Sequence, residues 1–465
     1  MTREGVKAVR LHPQDSVLVA ITALDKGEEI PGQGLVCRDA IPAGHKVAAL
    51  PMREGEPVYK YGQIIGAATR PIAPGEHVHT RNLRMLDFER DRPPGSAAVP
   101  TQFVEESVRA GFEGILRPDG RVGTRNYIGV LCTVACAAPV VHKIADAFNH
   151  EGALTQFPNV DGVVGLTHST GCGMALEGDG MAYLQRSLAG FARHPNFGWV
   201  LMVGLGCEVN QADSLVREQG LEEMVSLVDI QELGGTEAAV ARGVGMIRER
   251  LPEVDAVKRR TVPATHLILG LECGGSDAYS GLTVNPALGA AVDLLVRHGG
   301  TAILSETTEI YGAEHLLTER ACSREVAERL KERVRWWEDY TARHGGGIDN
   351  NPTPGNKAGG LTTILEKSLG AASKGGTTNL TAVYRYAEQV RSKGLVFMDT
   401  PGYDPVSITG MVAGGANVIC FTTGRGTIYG CKPVPVIKLA SNTAMYDRLS
   451  ADMDINCGRV LDEDL

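Results

Sequence analysis

Three stretches of the chain share one design, and that design restricts what the chain can fold into. THLILGLECGGSDAYSGLTVNPALG (265–289) is an apolar run, then a cysteine, then a glycine-rich turn carrying Ser276, Asp277, Ser280 and Asn285. VDGVVGLTHSTGCG (160–173) and WVLMVGLGCEVNQ (199–211) repeat it, the first with His168 and Cys172, the second with Cys207, Glu208, Asn210 and Gln211. Each places Gly-Leu late in the run and a cysteine just beyond: Gly165-Leu166 and Cys172, Gly204-Leu205 and Cys207, Gly270-Leu271 and Cys273. A short apolar run closed by glycine marks a strand buried on both faces of a parallel sheet. Loops at the carboxyl ends of such strands are where open α/β sheets hold ligands. The matching positions predict that Cys172, Cys207 and Cys273 converge on one cleft. The alternative is three small residues packed at strand termini.

Strands and helices alternate from residue 127 onward. Strands are predicted at 127–134, 161–168 and 198–206, with helices near 138–150, 177–192 and 236–251. The polar segment LPEVDAVKRRTVPA marks a boundary. A second set follows, with strands at 266–271, 301–305, 394–399, 417–422 and 434–439 and helices near 286–298, 313–340 and 360–372. Such alternation predicts parallel sheets with crossover helices. The fold class expected is therefore α/β: a small β-rich N-terminal domain (1–92), a Pro-rich linker (93–108), and two α/β domains with mainly parallel sheets (109–258 and 259–465). No GxGxxG follows a strand and no GxxxxGK[ST] occurs, so the dinucleotide and P-loop fingerprints are missing.

In the N-terminal part, two Pro-x-Gly turns (Pro42-Ala43-Gly44-His45, and Ala73-Pro74-Gly75 ahead of His77) suggest two related hairpins. His45, His77 and His79 are its chemically interesting residues, and His77 and His79 share a face if that segment is a strand. They form a candidate metal or lid site: a short linker and histidines without partners in their own domain suggest a domain that moves as a unit over a ligand.

A formal net charge of −9 and a pI near 5.8 argue against nucleic acid or anionic membrane as partner. No stretch has the apolar length of a membrane span, and MTREGVKAVRLHPQDS lacks a secretory pattern. With ten cysteines and no CxxC, the expectation is reduced thiols, metal ligation or catalysis in a cytoplasmic protein.

Other loops carry candidate ligand contacts. Asp119-Gly120 is a hairpin turn signal; it presents Arg121, Arg125 and Asn126 just before a strand, and a guanidinium fork suits a carboxylate. NPTPGNKAGG (351–360) sets Asn356 and Lys357 in a turn ahead of a helix, a ready anion site. FTTGRGTIYG (421–430) follows a buried strand with Thr422, Thr423, Arg425 and Thr427. His168 is the one imidazole at a strand end of this set.

Taken together, GFEGILRPDGRVGTRN, THSTGC, GLGCEVNQ, GLECGGSDAYSG, NPTPGNKAGG and TGRGTIYG resemble the altronate/galactarate dehydratase family of sugar-acid hydro-lyases. IPAGHKVAAL, YGQIIGAAT and GEHVH resemble the SAF-type domain that precedes them. The resemblance runs in order over nearly the whole chain. It implies a small-molecule sugar-acid substrate, Fe²⁺, an iron–sulfur centre or another divalent metal, and loss of water to give a 2-keto-3-deoxy acid; a homo-oligomer is compatible with it. Such chemistry needs a base for the C2 proton, an acid for the departing hydroxyl, and a metal or dense donors for the enediolate charge. On this reading His168, Lys357 and Asp277 are the catalytic candidates. Arg121, Arg125, Asn126, Ser276, Asn285, Asn356, Arg425 and Thr427 bind substrate. Cys172, Cys207 and Cys273 ligate iron, and His45, His77 and His79 form a further N-domain site. Two other readings are weighed against it: a carbon–sulfur lyase acting on a sulfonated hydroxy acid such as sulfolactate, and a non-catalytic sugar-acid sensor.

Overall fold

The structure, a computed structural model, describes residues 6–461. The N-terminal part is all β. Its four-stranded antiparallel sheet runs Ala8–Val9, Val17–Ala20, Lys46–Ala48, His77–Val78. A three-stranded sheet of Pro57–Lys60, Gln63–Ala68 and Leu83–Arg84 closes the other side. The two Pro-x-Gly hairpins lie side by side, with Lys46 opposite Val78 and Val47 opposite His77. Their turns therefore deliver His45 and His77 to one place.

The chain enters and leaves the second domain through an antiparallel pair, Gly111–Leu116 against Arg260–Pro263. Between them lies a parallel four-stranded sheet, ordered Gly162–Leu166, Tyr127–Cys132, Phe197–Gly204, Val225–Asp229. Its apolar strands are covered by helices, as the alternating pattern requires. The C-terminal domain holds seven parallel strands, ordered Leu380–Tyr384, Gly394–Met398, Thr301–Leu304, Ile268–Cys273, Val418–Thr423, Val436–Ala440, Ile455–Asn456. The chain builds outward from Ile268–Cys273 in one direction, then returns to build on its other side. That strand thus marks the point where strand order reverses, and ligand crevices form at the carboxyl ends there.

Several elements differ from the sequence expectation. The helix expected over 313–340 is two, His315–Thr318 and Arg324–Arg343. Between them Arg320 and Cys322 hydrogen-bond the backbone of Leu380, so the segment is drawn onto the sheet edge and a new helix starts at the Ser323 cap. Two strands, Val225–Asp229 and Leu380–Tyr384, escaped notice because both are short edge strands with mixed polarity.

The N-terminal domain is not a free lid. Val17, Val58 and Ile65 share a core with Ala313, Leu369 and Ala372 of the C-terminal domain. Lys46 and Lys60, both fully buried, pair with buried Glu366 at 2.8 Å each. Burial works against the Glu366 carboxylate, but the two ammoniums hold its pKa far below the usual range. The segment after it is also pinned: the amides of Gly95, Ala97 and Val104 donate to Thr318, Glu319 and Arg297 carbonyls.

The second and C-terminal domains meet through Asp179–Ala192 and Asp404–Ala413, sharing a core that includes Leu188, Phe191, Ile408 and Met411. Gly190 makes the contact close: a Cβ there would lie 2.2 Å from the Ala413 carbonyl oxygen. Gly190→Ala is expected to cost about 1–3 kcal/mol through overpacking, read as a lowered urea midpoint. A midpoint unchanged or raised would show that the helices separate without cost.

Candidate active site

Five strand ends of the C-terminal sheet present their chemistry at one edge. After Ile268–Cys273 comes the loop with Ser276, Asp277 and Ser280. After Thr301–Leu304 come Ser305, Glu306 and Glu309; after Gly394–Met398 come Asp399, Thr400 and Asp404. Val418–Thr423 leads into Gly424–Thr427, and Val436–Ala440 into Ser441 and Asn442.

The upper layer of this edge is tied together by Asp277, which is 5% exposed. Its Oδ1 accepts from the amide and hydroxyl of Ser280 and from Ser441 Oγ, and its Oδ2 accepts from Asn442 Nδ2. Burial raises its pKa, and these donors offset part of the rise. With donors from three loop positions, Asp277 ties these loops together. Asn356 closes the capping box of Pro354–Ala358 and donates through Nδ2 to the Ser276 carbonyl at 2.8 Å. The Ala278 amide donates to Gly359 O, and Gly424 N to Gly275 O. The 353–360 loop, the 274–280 loop and the 424–427 loop therefore form one surface, with Lys357 and Arg425 on it. Among the described residues neither cation has an ion-pair partner, so both are available to an anion.

The N-terminal domain hangs three imidazoles over this surface. Ring centroids of His45, His77 and His79 lie 5.1–5.3 Å apart. Their partners fix the tautomers. A guanidinium only donates, so Arg81 NH1 at 3.0 Å leaves His77 Nδ1 as acceptor. The His77 proton then sits on Nε2 and is given to His45 Nδ1 at 3.0 Å; His45 in turn donates from Nε2 to the Ala358 carbonyl at 3.3 Å. His79 Nε2 donates to Lys357 O at 2.9 Å, which leaves Nδ1 to accept from the Thr80 hydroxyl. The result is a directional chain of neutral imidazoles from Arg81 to the 357–358 turn. Burial pushes His45 down to about 4, and burial with neighbouring positive charge pushes His77 down to about 3. Both folded pKa values lie below the unfolded 6.5, so the unfolded state binds more protons between these limits. Stability is thus present above about 6.5 and lost as pH falls toward 4. The melting temperature of the protein is expected to drop through this window, and that of His77→Gln to drop less steeply. Parallel curves would show that the histidines titrate freely.

The ends of the same strands also hold a buried acidic group. Glu272, Glu306 and Glu309 are at most 2% exposed, and Asp404 borders them. Lys374 Nζ donates to Glu306 at 2.6 Å, and Lys367 pairs with Glu309. Cys273 Sγ, 1% exposed, lies 3.4 Å from Glu306 and 3.3 Å from Glu309. Burial and the adjacent Glu306 carboxylate raise Glu272; burial, Glu306 and Glu309 raise Asp404 to about 6. One oxygen each of Glu272 and Glu306, Oε1 in both, is buried with no hydrogen-bond partner, a rare condition. Glu306 also has φ of 65°, a left-handed conformation that costs a non-glycine residue roughly 1–2 kcal/mol. Burial and mutual repulsion push Glu272, Glu306 and Asp404 towards their neutral forms against two ammoniums, and a divalent cation bound among them would favour the ionised carboxylates instead. Among the described residues, Cys273–Glu306–Glu309 and Glu272–Glu306–Asp404 are the groups whose ligand atoms lie within 4.8 Å of one another. An oxygen-rich set of this kind suits a hard or borderline divalent ion.

The structure corrects the expectation that Cys172, Cys207 and Cys273 share one metal. Cys273 is sealed in the C-terminal domain against two glutamates, whereas Cys172 and Cys207 are exposed on loops of the second domain. Similar strand endings recur in the sheets of two domains, and a sequence cannot say whether the strand ends of one domain face those of the other. His168 is in the second domain also, with both ring nitrogens engaged, Nε2 with Cys132 O at 3.1 Å and Nδ1 accepting from Thr170 N at 3.3 Å. It borders, with Arg125, a cleft of about 970 Å³ between the second and C-terminal domains. Arg121 pairs with Asp119 in its own hairpin at 2.6 Å. Asn126, fully buried, joins Arg117 to the carbonyls of Asn159 and Val254. Asn285, 1% exposed, bonds Gly370 O. Thr427 accepts from Tyr429 N. Sequence reasoning missed Glu272, Glu306, Glu309, Lys367, Lys374 and Asp404. The available signal was a charged residue inside an apolar strand, Glu272 in ILGLEC, which burial tolerates only when it is paired or binding something.

Comparison with known proteins places this arrangement. Residues 6–86 match the altronate/galactarate dehydratase SAF domain, 114–255 the D-galactarate dehydratase/altronate hydrolase second domain, and 264–465 the D-galactarate/altronate dehydratase C-terminal domain. Altronate dehydratase of Bacillus subtilis is 34% identical over 98% of this chain and 91% of its own. Galactarate dehydratase (L-threo-forming) of Escherichia coli is 37% identical over 97% of this chain and 88% of its own. The beta subunit of (2R)-sulfolactate sulfo-lyase from Chromohalobacter salexigens is 30% identical over 75% of this chain and 87% of its own. Full-length similarity through all three domains settles the affiliation: the chain belongs to the altronate/galactarate dehydratase family of hydro-lyases.

Proposed function

We propose that this protein removes water from a sugar acid of the aldonate or aldarate class, giving a 2-keto-3-deoxy acid. The observation that carries the reading is the 34–37% identity to altronate and galactarate dehydratases over nearly the full length of both partners. The site is compatible with it. Lys357 and Arg425 have no ion-pair partner among the described residues and lie on one surface, suited to the substrate carboxylate. The His77–His45 pair supplies neutral imidazoles in defined tautomers; their ring nitrogens are all hydrogen-bonded, so one of these bonds would be exchanged for substrate before a ring takes the C2 proton and returns one to the departing hydroxyl. Asp277 holds the surrounding loops in register, and Asn356 fixes the turn that carries Lys357. Glu272, Glu306 and Asp404, flanked by Cys273 and Glu309, would hold a divalent cation, with Fe²⁺ favoured by the family relationship. Bound there, the cation supplies Lewis-acid stabilisation of enediolate charge. Lys367 and Lys374 limit the charge excess, and burial keeps bulk water from the carboxylates.

The test is a panel of aldonates, aldarates and sulfolactate incubated anaerobically with the protein, Fe²⁺ and reductant. Formation of 2-keto-3-deoxy acid from one or more sugar acids is the expected result. Sulfite release from sulfolactate without sugar-acid turnover would replace this reading with the carbon–sulfur lyase, and binding without turnover would replace it with a sensor.

A further inference from the structure

The cleft of about 970 Å³ between the second and C-terminal domains has no part in the proposed reaction. It runs along one face of the second-domain sheet. Tyr127, at the start of Tyr127–Cys132, lines one end; Thr167 and His168, just past the parallel neighbour Gly162–Leu166, line the other. A strand of six residues gives it a length of about 20 Å. The sheet face, the helix Asp179–Ala192 and the 429–436 segment of the C-terminal domain form its walls. Leu131, Val164, Leu184, Leu188, Phe191 and Val434 make those walls apolar.

Its charged groups are of one sign. Arg125, Lys432 and Lys438 line the cleft, and among the described residues no aspartate or glutamate does. None of the three cations has an ion-pair partner among the described residues, and the Arg125 guanidinium donates to the adjacent Thr124 carbonyl at 2.9 Å. Asn196, fully buried, holds two of them at one end. Its Oδ1 accepts from the Arg125 amide at 3.2 Å, and its Nδ2 donates to the Pro433 carbonyl, next to Lys432, at 2.9 Å. At the other end burial lowers the His168 pKa, so the imidazole adds no charge there. Arg125, whose guanidinium the sequence marks as suited to a carboxylate, therefore faces this cleft and not the surface that carries Lys357 and Arg425.

We propose that this cleft binds a carboxylate joined to an extended apolar body, of the medium-chain fatty acid type. The carboxylate lies at the Arg125 and Lys432 end and the chain runs along the sheet face. Small-molecule sites are concave, mainly apolar, and carry a few polar groups that fix orientation; the cleft has that composition. Guanidinium and ammonium without acidic partners supply charge complementarity to a carboxylate. A sugar acid does not suit the same walls, because its hydroxyls would lose water and meet apolar side chains. The cleft also shares segments with the candidate active site. Thr409 lies on Asp404–Ala413, whose first residue borders the acidic group, and Tyr429 closely follows Arg425 and Thr427. An occupant therefore touches segments whose other ends belong to that site.

Isothermal titration calorimetry of the full-length protein with decanoate, below its micellar concentration, tests this. The expected result is one decanoate bound per chain. Decanol, with the chain but no charge, is expected to bind about tenfold more weakly or worse, and galactarate, with charge but no chain, to leave decanoate binding unchanged. Arg125→Gln and Lys432→Gln should each weaken decanoate about tenfold, the scale of one lost charge-assisted hydrogen bond. Ser187→Phe, which fills the cleft from its helical wall, should abolish binding with circular dichroism unchanged. The proposal is overturned by absent decanoate binding, by equal binding of decanol, by competition from galactarate, or by full binding in Ser187→Phe. It is equally overturned if sedimentation shows a dimer that Ser187→Phe dissociates, since a second copy would then be the occupant. The readout does not depend on turnover, so failure of the dehydratase reading and failure of this site are told apart.

Discussion

Lys374→Met is expected to lower the unfolding free energy by about 3–5 kcal/mol in the presence of chelator, because it removes the partner of a buried charge. Lys374 is fully buried. Burial alone would push its ammonium down, but Cys273, Glu306 and Glu272 around it hold it charged, above the ordinary lysine range. Without it, Glu272, Glu306, Glu309 and Asp404 face Lys367 as the remaining ammonium of the pocket. The variant should then recover much of the loss on addition of Mn²⁺ or Fe²⁺, since a ligand that binds only the folded state stabilises it by mass action. The measurement is urea unfolding of wild type and variant, with chelator and with Mn²⁺. Equal destabilisation in both conditions would remove the carboxylate pocket as a cation site and leave it as a buried ion cluster. Glu306→Gln is the companion: its native left-handed backbone and unpartnered Oε1 make sense as ligand geometry, and its loss should abolish the Mn²⁺ effect.

His45→Gln is expected to reduce kcat by roughly 10²–10⁴-fold, the usual contribution of a general acid–base group, while the protein stays folded. The argument rests on tautomers. Arg81 forces the His77 proton onto Nε2, His77 forces the His45 proton onto its own Nε2, and the chain ends at the 357–358 turn. Glutamine retains a donor toward Ala358 O but cannot exchange a proton. Arg81→Met leaves both rings in place and frees the His77 tautomer, so it should lower kcat by a smaller factor and move the pH profile. Steady-state kinetics across pH for the two variants separates the cases. A wild-type kcat in His45→Gln would confine the trio to docking the N-terminal domain, beside the Lys46–Glu366–Lys60 cluster.

The relative effects of these variants also bear on how the N-terminal domain works. Its linker and solitary histidines suggested a mobile cover. The shared core and the buried Lys46–Glu366–Lys60 cluster show a docked one, whose contribution is to position His45, His77 and His79 over the sheet edge. Among the described residues, no helix is long and apolar enough to cross a membrane.

Sequence alone determined the alternation of strand and helix, and it did so because a strand buried on both faces must be continuously apolar. Ile268–Cys273, Phe197–Gly204 and Val418–Thr423 were legible for that reason, as was the Asp119-Gly120 turn, whose glycine has φ of 87°. The paired hairpins were equally visible, but that His45 and His77 hydrogen-bond each other came only from the structure. Sequence could not order the strands within a sheet or say how the two sheets face each other. Cys172, Cys207 and Cys273 looked equivalent because the local rule for ending a buried strand is the same in both α/β domains; the sequence divided them between two domains, and tertiary structure alone showed that Cys273 is sealed while Cys172 and Cys207 are exposed. It alone also assembled Glu272, Glu306, Glu309, Lys367, Lys374 and Asp404, which come from different strand ends and helices. Their meaning lies in mutual burial and charge balance, and those exist only once distant segments are brought within a few ångströms of each other.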